Sequence, residues 1–187
     1  NKNADNFAKT TIDVNFYETQ KHFQELLPEH GYILDFGCGS GRDTKYFLEQ
    51  GFYVDATDGS EEMCHIASNY TGIQVRRLLF EELDENKKYD GIWACSSILH
   101  LPKNELKAVF MKMFKALKED GIIYTSFKYG DFEGERNGRY FTDFTEKTFE
   151  EFVGEIDNLQ LKEEWITGDV RPGRGEEKWL NVILQKN

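Results

Sequence analysis

The chain has 187 residues, of which 39% are apolar and 14% aromatic, and these values suit one compact domain spanning residues 1–187. Its apolar runs stay below the roughly 20 residues that cross a membrane, and its three cysteines include no CxxC pair, so we expect a cytoplasmic protein without a disulfide framework or metal site. A formal charge of −11 repels polyanions, which makes nucleic acids and anionic membranes unfavourable partners.

The first half of the chain alternates strand-like runs with helix-like runs, which predicts a parallel sheet covered by helices on both faces. Apolar and aromatic side chains between residues 16 and 27 predict an entry helix, part of an N-terminal helical cover over residues 1–30. Helices should also follow the first two strands, where Gly51 ends one helix and Ser60 caps the next. The strands of this half are predicted at 32–36, 52–58, 73–79 and 89–95.

The second half predicts two more helices and three more strands. Apolar residues at helical spacing indicate helices over 103–117 and around 149–156. Because residues 168–178 are too few for a crossover helix, the last two strands should form an antiparallel hairpin. The predicted fold class is α/β, with a doubly wound, mostly parallel, seven-stranded Rossmann-like sheet that carries this hairpin at its C-terminal end. The remaining strands are predicted at 122–127, 159–167 and 179–184.

A glycine-rich turn directly follows the first predicted strand, and an acidic residue stands at the tip of the second. The turn contains Gly37, Gly39 and Gly41, which let the backbone approach a bound nucleoside closely. The carboxylate of Asp58 can accept hydrogen bonds from both ribose hydroxyls. A glycine triplet also occurs in ordinary tight turns, but the strand context and the distal acid favour a nucleoside cofactor site.

Dinucleotide binding is the first alternative for this turn. The usual NAD fingerprint places Gly or Ala three positions after its second glycine, so that the helix packs closely on the strand. The corresponding position here holds Arg42, whose bulk and charge disfavour that packing. The predicted terminal hairpin also leaves no room for a separate substrate domain.

With residues 33–43 (ILDFGCGSGRD) and 51–58 (GFYVDATD), the chain resembles the class I S-adenosylmethionine (SAM)-dependent methyltransferases, in particular a small bacterial branch that includes tellurite-resistance-type enzymes. The resemblance covers almost the whole chain from Ile33 onward. It implies SAM as the cofactor, a strand order of 3-2-1-4-5-7-6, and a ribose held by Asp58. It also implies that the glycines flank the sulfonium and that Asp35 or its neighbours meet the methionine amino group.

The adenine end of the expected site departs from this family. Many relatives carry an acidic residue after strand three, whereas Leu79 and Phe80 occupy that region here and could form an adenine wall or belong to the core. The residues expected at the cofactor are Tyr17, Asp35, Gly37, Gly39, Gly41, Arg42, Asp58, Gly59, Leu79, Phe80, Ala94 and Cys95.

The end of strand four, residues 94–100, lies where open α/β sheets place their ligands. It lacks the Asn/Asp-Pro-Pro-aromatic motif and the Pro-Cys motif of nucleic-acid methyltransferases, which disfavours those substrates. His100 is the candidate catalytic base, with the alternative that it only positions the next helix through a backbone contact. Cys95 has a similar alternative, that of a small buried filler.

Two polar loops should lie over the same sheet edge. Residues 128–145 form a long polar and aromatic segment, which we interpret as a substrate-side loop or lid. Its Arg139 and Tyr140, with Arg171 and Arg174 of the later hairpin loop, are the candidate substrate-binding residues. The arginines suit a carboxylate or phosphate, although solvated loops with local glutamate pairing would show the same composition.

The hypothesis with most support is a SAM-dependent methyltransferase that acts on a small-molecule acceptor, possibly an anionic one, as a monomer or homodimer. Methyl transfer mainly requires alignment of donor and acceptor, which accounts for a sequence without a metal cluster or nucleophilic triad. The alternatives are a tRNA or protein methyltransferase and a nucleotide-binding module without turnover.

Overall fold

A seven-stranded sheet forms the centre of the fold in the computed structural model, which describes residues 10–12, 14–171 and 173–186. Its strands are β1 Tyr32–Phe36, β2 Tyr53–Asp58, β3 Arg76–Arg77, β4 Tyr89–Ala94, β5 Leu117–Lys128, β8 Leu159–Gly168 and β9 Lys178–Lys186. They lie in the order β3-β2-β1-β4-β5-β9-β8. Strand β9 is antiparallel to both of its neighbours, whereas β1 to β5 pair in parallel. The predicted mostly parallel sheet, its strand order and its C-terminal hairpin are therefore confirmed.

Helices cover both faces of this sheet. They are α1 Tyr17–Glu25, α2 Arg42–Glu49, α3 Glu61–Thr71, α4 Lys103–Ala116 and α5 Glu146–Val153. Alternation along β1 sends Ile33 into a core with Phe47 of α2, and Leu34 into the opposite core with Phe110 of α4. The helix after β2 begins as predicted, because the Ser60 hydroxyl accepts a hydrogen bond from the Met63 N–H at 3.3 Å.

Three elements differ from the sequence prediction. The third strand contains only Arg76–Arg77, because the chain then turns into a short 3₁₀ helix at Phe80–Glu82. The fifth strand begins at Leu117, directly after α4, with a bulge in its pairing to β4. Inside the expected loop 128–145, a separate two-stranded sheet forms from β6 Glu133–Arg136 and β7 Arg139–Thr142.

The β6–β7 hairpin has a local cause in the sequence. Its two-residue turn is Asn137-Gly138, and both residues have positive φ angles, 54° and 75°. Asn-Gly turns of this kind match the right-handed twist of paired strands, and the pattern is the strongest short hairpin signal in a sequence. The sequence interpretation overlooked it because the flanking residues are polar.

The N-terminal cover is seen in part. Helix α1 agrees with the predicted entry helix, and its Phe23 is fully buried against Trp93 of β4. Residues 1–9 and 13, which the prediction placed in the same cover, lie outside the described residues. None of the helices in the described ranges has the length and apolar character that crossing a membrane requires.

Candidate functional site

A cavity of about 910 Å³ opens at the carboxyl ends of β1, β2, β4 and β5. This is the edge at which open α/β sheets bind ligands, and the volume is typical of a small-molecule site. The cavity runs from the end of β2 to the loop between β8 and β9. Eleven of the sequence-predicted site residues line it: Gly37, Gly39, Arg42, Asp58, Gly59, Phe80, Cys95, His100, Arg139, Arg171 and Arg174.

The glycine turn is suspended from the end of β2. The N–H groups of Gly37 and Cys38 both donate to the Thr57 carbonyl at 2.9 Å. Gly37 has a φ of 86°, and a Cβ atom there would lie 2.5 Å from the Cβ of Ser97. A side chain at this position would therefore displace the end of β4, which explains why the close approach requires glycine.

Asp58 presents a carboxylate to the cavity with both oxygens oriented by the backbone. Its Oδ2 accepts from the Gly39 N–H and its Oδ1 from the Ser60 N–H, both at 2.9 Å. A carboxylate oxygen can accept two hydrogen bonds, so each oxygen retains acceptor capacity for a hydroxyl donor. A vicinal diol such as a ribose fits this donor requirement. Phe80, packed edge-on against Phe36 at 4.9 Å, forms the neighbouring apolar wall.

Six of the predicted residues lie outside the cavity wall. Asp35 is buried beneath the glycine turn, where the Thr44 hydroxyl donates to it at 2.5 Å. Burial and the charge of Asp43 raise the pKa of this carboxyl group. Ala94 is fully buried, and Tyr17 borders a smaller surface depression. The remaining three are Gly41 at the start of α2, Leu79 beside Gly59, and Tyr140 on β7.

His100 lies in the cavity wall with a defined tautomer. Its Nδ1 atom is 2.8 Å from the Tyr140 carbonyl oxygen, and its ring packs edge-on against Phe141 at 4.7 Å. Because a carbonyl only accepts, Nδ1 carries the proton and the neutral ring keeps its lone pair on Nε2. Burial lowers the pKa of His100, so the neutral ring predominates at pH 7. The sequence alternatives, base and positioning contact, are thus both compatible with this geometry.

Cys95 is poorly suited to nucleophilic attack. Burial and the nearby Asp43 carboxylate raise the pKa of its thiol to about 12, although Arg42 lowers it in part. A thiol with this pKa remains protonated at neutral pH and is a weak nucleophile. Cys95 therefore contributes shape to the cavity wall.

The arginines at the far end of the cavity differ in how they are paired. Arg171 forms a two-point ion pair with the buried Asp169, which also accepts from the Trp179 indole N–H at 3.1 Å. Arg174 lies 4.0 Å from Glu177. Within the described part of the chain, Arg139 has no ion-pair partner, and its positive charge contributes to lowering the pKa of His100.

Several cavity residues were missed by the sequence interpretation. Ser96, Ser97 and Ser126 line its floor, and Ser126 accepts from the Ser96 N–H at 3.0 Å. Lys128 pairs with Glu177 and lies over the Trp179 ring at 5.1 Å. The available signal was their position at the ends of strands whose carboxyl termini meet at one sheet edge.

Comparison with known proteins connects this site to a family. Residues 33–121 match the family model described as "Methyltransferase domain". The chain is 33% identical over 122 residues to the Bacillus subtilis protein named "Putative methyltransferase YqeM", a match that covers 59% of this chain and 49% of that protein. The chain spans about half the length of the curated relatives it matches.

Solved structures share the fold over nearly the whole chain. A Burkholderia thailandensis 1,6-didemethyltoxoflavin-N1-methyltransferase, with bound 1,6-didemethyltoxoflavin and S-adenosylhomocysteine, superposes with a TM-score of 0.77 at 24% identity, covering 95% of this chain and 80% of that one. A TehB-like SAM-dependent methyltransferase from Corynebacterium glutamicum gives a TM-score of 0.77 at 19% identity, with 100% and 99% coverage. At these identities the likeness shows a Rossmann-like methyltransferase fold.

Proposed function

We propose that this chain, which carries a methyltransferase domain of the class I SAM-dependent family, transfers the methyl group of SAM to a small-molecule acceptor. One observation carries the proposal: a single cavity joins the glycine turn and Asp58 at one end to His100 and the arginines at the other. Donor and acceptor can therefore meet in one enclosed space. Alignment of two reactants in such a space provides much of the catalysis that group transfer needs.

The donor end fits the adenosyl and methionine parts of SAM. Asp58 would accept from the ribose hydroxyls with its remaining lone pairs, and Phe80 would face the adenine. The backbone of Gly37 and Gly39 would lie along the methionine part, with the Arg42 guanidinium nearby. When bound, SAM supplies a methyl group already activated by the sulfonium charge.

The chain's own part in the reaction is to orient the acceptor and to accept a proton where the acceptor carries one. His100 is the group for that proton, because its unprotonated Nε2 belongs to a ring in the cavity wall. The hydrogen bond from Nδ1 to the Tyr140 carbonyl keeps the ring in this tautomer. The cavity walls limit the access of water to the reacting groups.

The acceptor is proposed to be small and anionic. The cavity volume of about 910 Å³ suits one cofactor and one small molecule rather than a folded macromolecule. Arg139 offers an unpaired guanidinium at the acceptor end, and Arg171 is held in place by Asp169. The Burkholderia thailandensis neighbour, named as acting on 1,6-didemethyltoxoflavin, supports a small-molecule acceptor for this fold.

Calorimetry with SAM, S-adenosylhomocysteine and NAD tests the cofactor assignment. We expect SAM and S-adenosylhomocysteine to bind and NAD not to bind, because Arg42 occupies the position that the dinucleotide fingerprint gives to Gly or Ala. Tight binding of NAD without SAM would overturn the assignment.

Mass spectrometry of a cell extract incubated with the protein and SAM tests the acceptor class. We expect a small anionic metabolite that becomes heavier by one methylene group. Methylated RNA or protein as the sole product would replace this class with the tRNA or protein alternative. SAM binding without a methylated product in any fraction would indicate a binding module.

A further inference from the structure

One buried carboxylate, that of Asp43, connects three elements around the donor end of the cavity. Its Oδ1 accepts from Gln20 Nε2 of α1 and from Arg42 Nε, both at 2.7 Å. Its Oδ2 accepts from Arg42 Nη2 at 2.9 Å and from the Trp93 indole N–H of β4 at 2.8 Å. Asp43 and Gln20 are 7% and 4% exposed, and Trp93 is fully buried. The carboxylate therefore joins α1, α2 and β4 away from bulk water.

The four contacts require an acceptor at both carboxylate oxygens. Arginine and tryptophan side chains only donate, and the Gln20 amide currently donates as well. An asparagine at position 43 would turn an NH₂ group toward at least one arginine nitrogen, so two donors would face each other. Each oxygen already accepts two hydrogen bonds, and Asp43 therefore acts through these neighbours rather than on a ligand.

Arg42 carries the effect of Asp43 to the cavity. Its guanidinium is fixed at two points by Asp43 and lies over the Phe16 ring at 5.0 Å. Phe16 in turn meets Trp93 edge-on at 6.1 Å. Arg42, Phe16 and Val14 all line the cavity, so the segment that leads into α1 forms part of its wall. Burial disfavours the charged guanidinium, but the Asp43 charge outweighs this and raises the pKa of Arg42.

We propose that Asp43 is a positioning residue for the cofactor end: it docks α1 against α2 and β4, and it fixes the Arg42 guanidinium and the Phe16 wall where SAM binds. The cofactor part of this inference rests on the proposed function. The docking part does not, because the hydrogen bonds join elements of the protein itself.

The test compares Asp43→Asn with Asp43→Glu. Asparagine matches aspartate in size but not in acceptor chemistry, whereas glutamate keeps both acceptor oxygens and adds length. If acceptor chemistry decides, Asp43→Asn should raise the KM for SAM about tenfold or more, with a much smaller change in kcat, and Asp43→Glu should recover part of the loss. If Asp43 only fills space, asparagine should be the milder change, and that order would overturn the proposal.

A second readout needs no cofactor. In the free protein, Asp43→Asn should increase hydrogen exchange of residues 14–25 and of the Trp93 indole N–H, because both lose their anchor. Unchanged exchange at both places would overturn the docking part even if SAM does not bind at all. Failure of the wild-type chain to bind SAM would instead count against the proposed function.

Two further variants serve as fallback and control. Gln20→Leu removes one of the four donors and should increase exchange of α1 if Asp43→Asn fails to fold. His22→Ala cuts a different tie of the same helix, the 2.6 Å contact with Glu163 of β8, and leaves Arg42 and Asp43 untouched. It should leave the KM for SAM nearly unchanged. An equal rise in KM for His22→Ala would show that any loosening of α1 suffices and would overturn the role of Asp43.

Discussion

Two aspartates at the ends of neighbouring strands show how environment separates residues of one type. Asp58 ends β2, is partly exposed in the cavity, and is oriented by two backbone N–H groups. Asp35 lies in β1, is 2% exposed, and has a raised pKa because of burial. The first can contact a ligand, while the second supports the glycine turn through Thr44.

Asp58→Ala should weaken SAM binding by about 1.5–3 kcal/mol, the range for losing a charged hydrogen-bond partner. The change removes the acceptor for the ribose and for the Gly39 and Ser60 N–H groups. Calorimetry measures the effect, with the exposed Glu61→Ala in the next helix as control. An unchanged affinity in a folded Asp58→Ala protein would place the ribose elsewhere.

His100 should give methyl transfer a pH profile that rises from acid and levels off near neutrality. Burial lowers the pKa of its imidazole, so the midpoint of the rise should lie below 6.5. His100→Gln should reduce turnover about 10²- to 10⁴-fold, the usual contribution of a general base, without weakening SAM binding. The rate of the wild type and the variant across pH provides the measurement, and an identical profile in both would assign the midpoint to another group.

Glu164→Gln should stabilise the protein at neutral pH. Burial, and then the charges of Glu150 and Glu146, raise the pKa of Glu164, and its Oε2 is buried without a partner within the described residues. A raised carboxyl pKa means that the folded state binds more protons, so stability falls as pH rises through 4.5 and above. The variant should unfold at a higher temperature than the wild type at pH 7, and the two should converge well below pH 4.5. A lower unfolding temperature at pH 7 would contradict this account.

At the scale of elements, the β6–β7 hairpin lies against the acceptor end of the site. Arg136 donates to both oxygens of the buried Asp143 and lies between the Phe132 and Phe141 rings at 4.8 and 4.6 Å. The Thr142 hydroxyl donates to the Leu101 carbonyl at 2.7 Å. The hairpin therefore connects to the segment that carries His100, and the carbonyl of Tyr140 sets the tautomer of that ring.

Arg136→Ala should loosen this hairpin and lower turnover while leaving SAM affinity unchanged. The substitution leaves the Asp143 carboxylate unpaired, and Arg136→Lys should be intermediate because lysine cannot form the same planar contacts. Hydrogen exchange of residues 133–142 should increase in the alanine variant. Full protection of the hairpin in that variant would show that the strand pairing alone holds it.

At the scale of the whole molecule, charge is distributed unevenly. The chain carries a formal charge of −11, yet Lys128, Arg139, Arg171 and Arg174 all line the acceptor end of the cavity. Glutamate or aspartate partners neutralise three of these cations, and Arg139 is left with the clearest net positive charge. An anionic acceptor would be attracted to this mouth against a repelling background.

Arg139→Ala should lower kcat/KM for an anionic acceptor about ten- to a hundredfold, the range for one charged hydrogen-bond partner. SAM affinity should not change, since Arg139 lies at the acceptor end. Added salt should lower kcat/KM of the wild type more steeply than that of the variant, because salt screens an exposed charge. Lys147→Ala, at an exposed lysine of α5, is the matched control. Equal salt dependence in both proteins would separate Arg139 from acceptor binding.

The sequence by itself determined the features that depend on local chemistry. The strand, the glycine turn and Asp58 follow from backbone freedom and residue spacing, and the length of residues 168–178 forces the antiparallel hairpin that completes the sheet. These features need no knowledge of distant contacts, which is why the strand order and most element bounds were predictable. The Asn137-Gly138 hairpin was equally local and was overlooked.

Only the tertiary structure decided which polar side chains are paired and which remain available. Arg171 has the same local sequence signal as Arg139, but the fold sets it on Asp169 and leaves Arg139 at the mouth. The tautomer of His100 depends on a carbonyl 40 residues away. Asp43 collects donors from α1 and from β4, which are 23 and 50 residues distant. Such pairings arise because strand order and helix docking bring remote side chains together, and residue spacing along the chain carries no information about them.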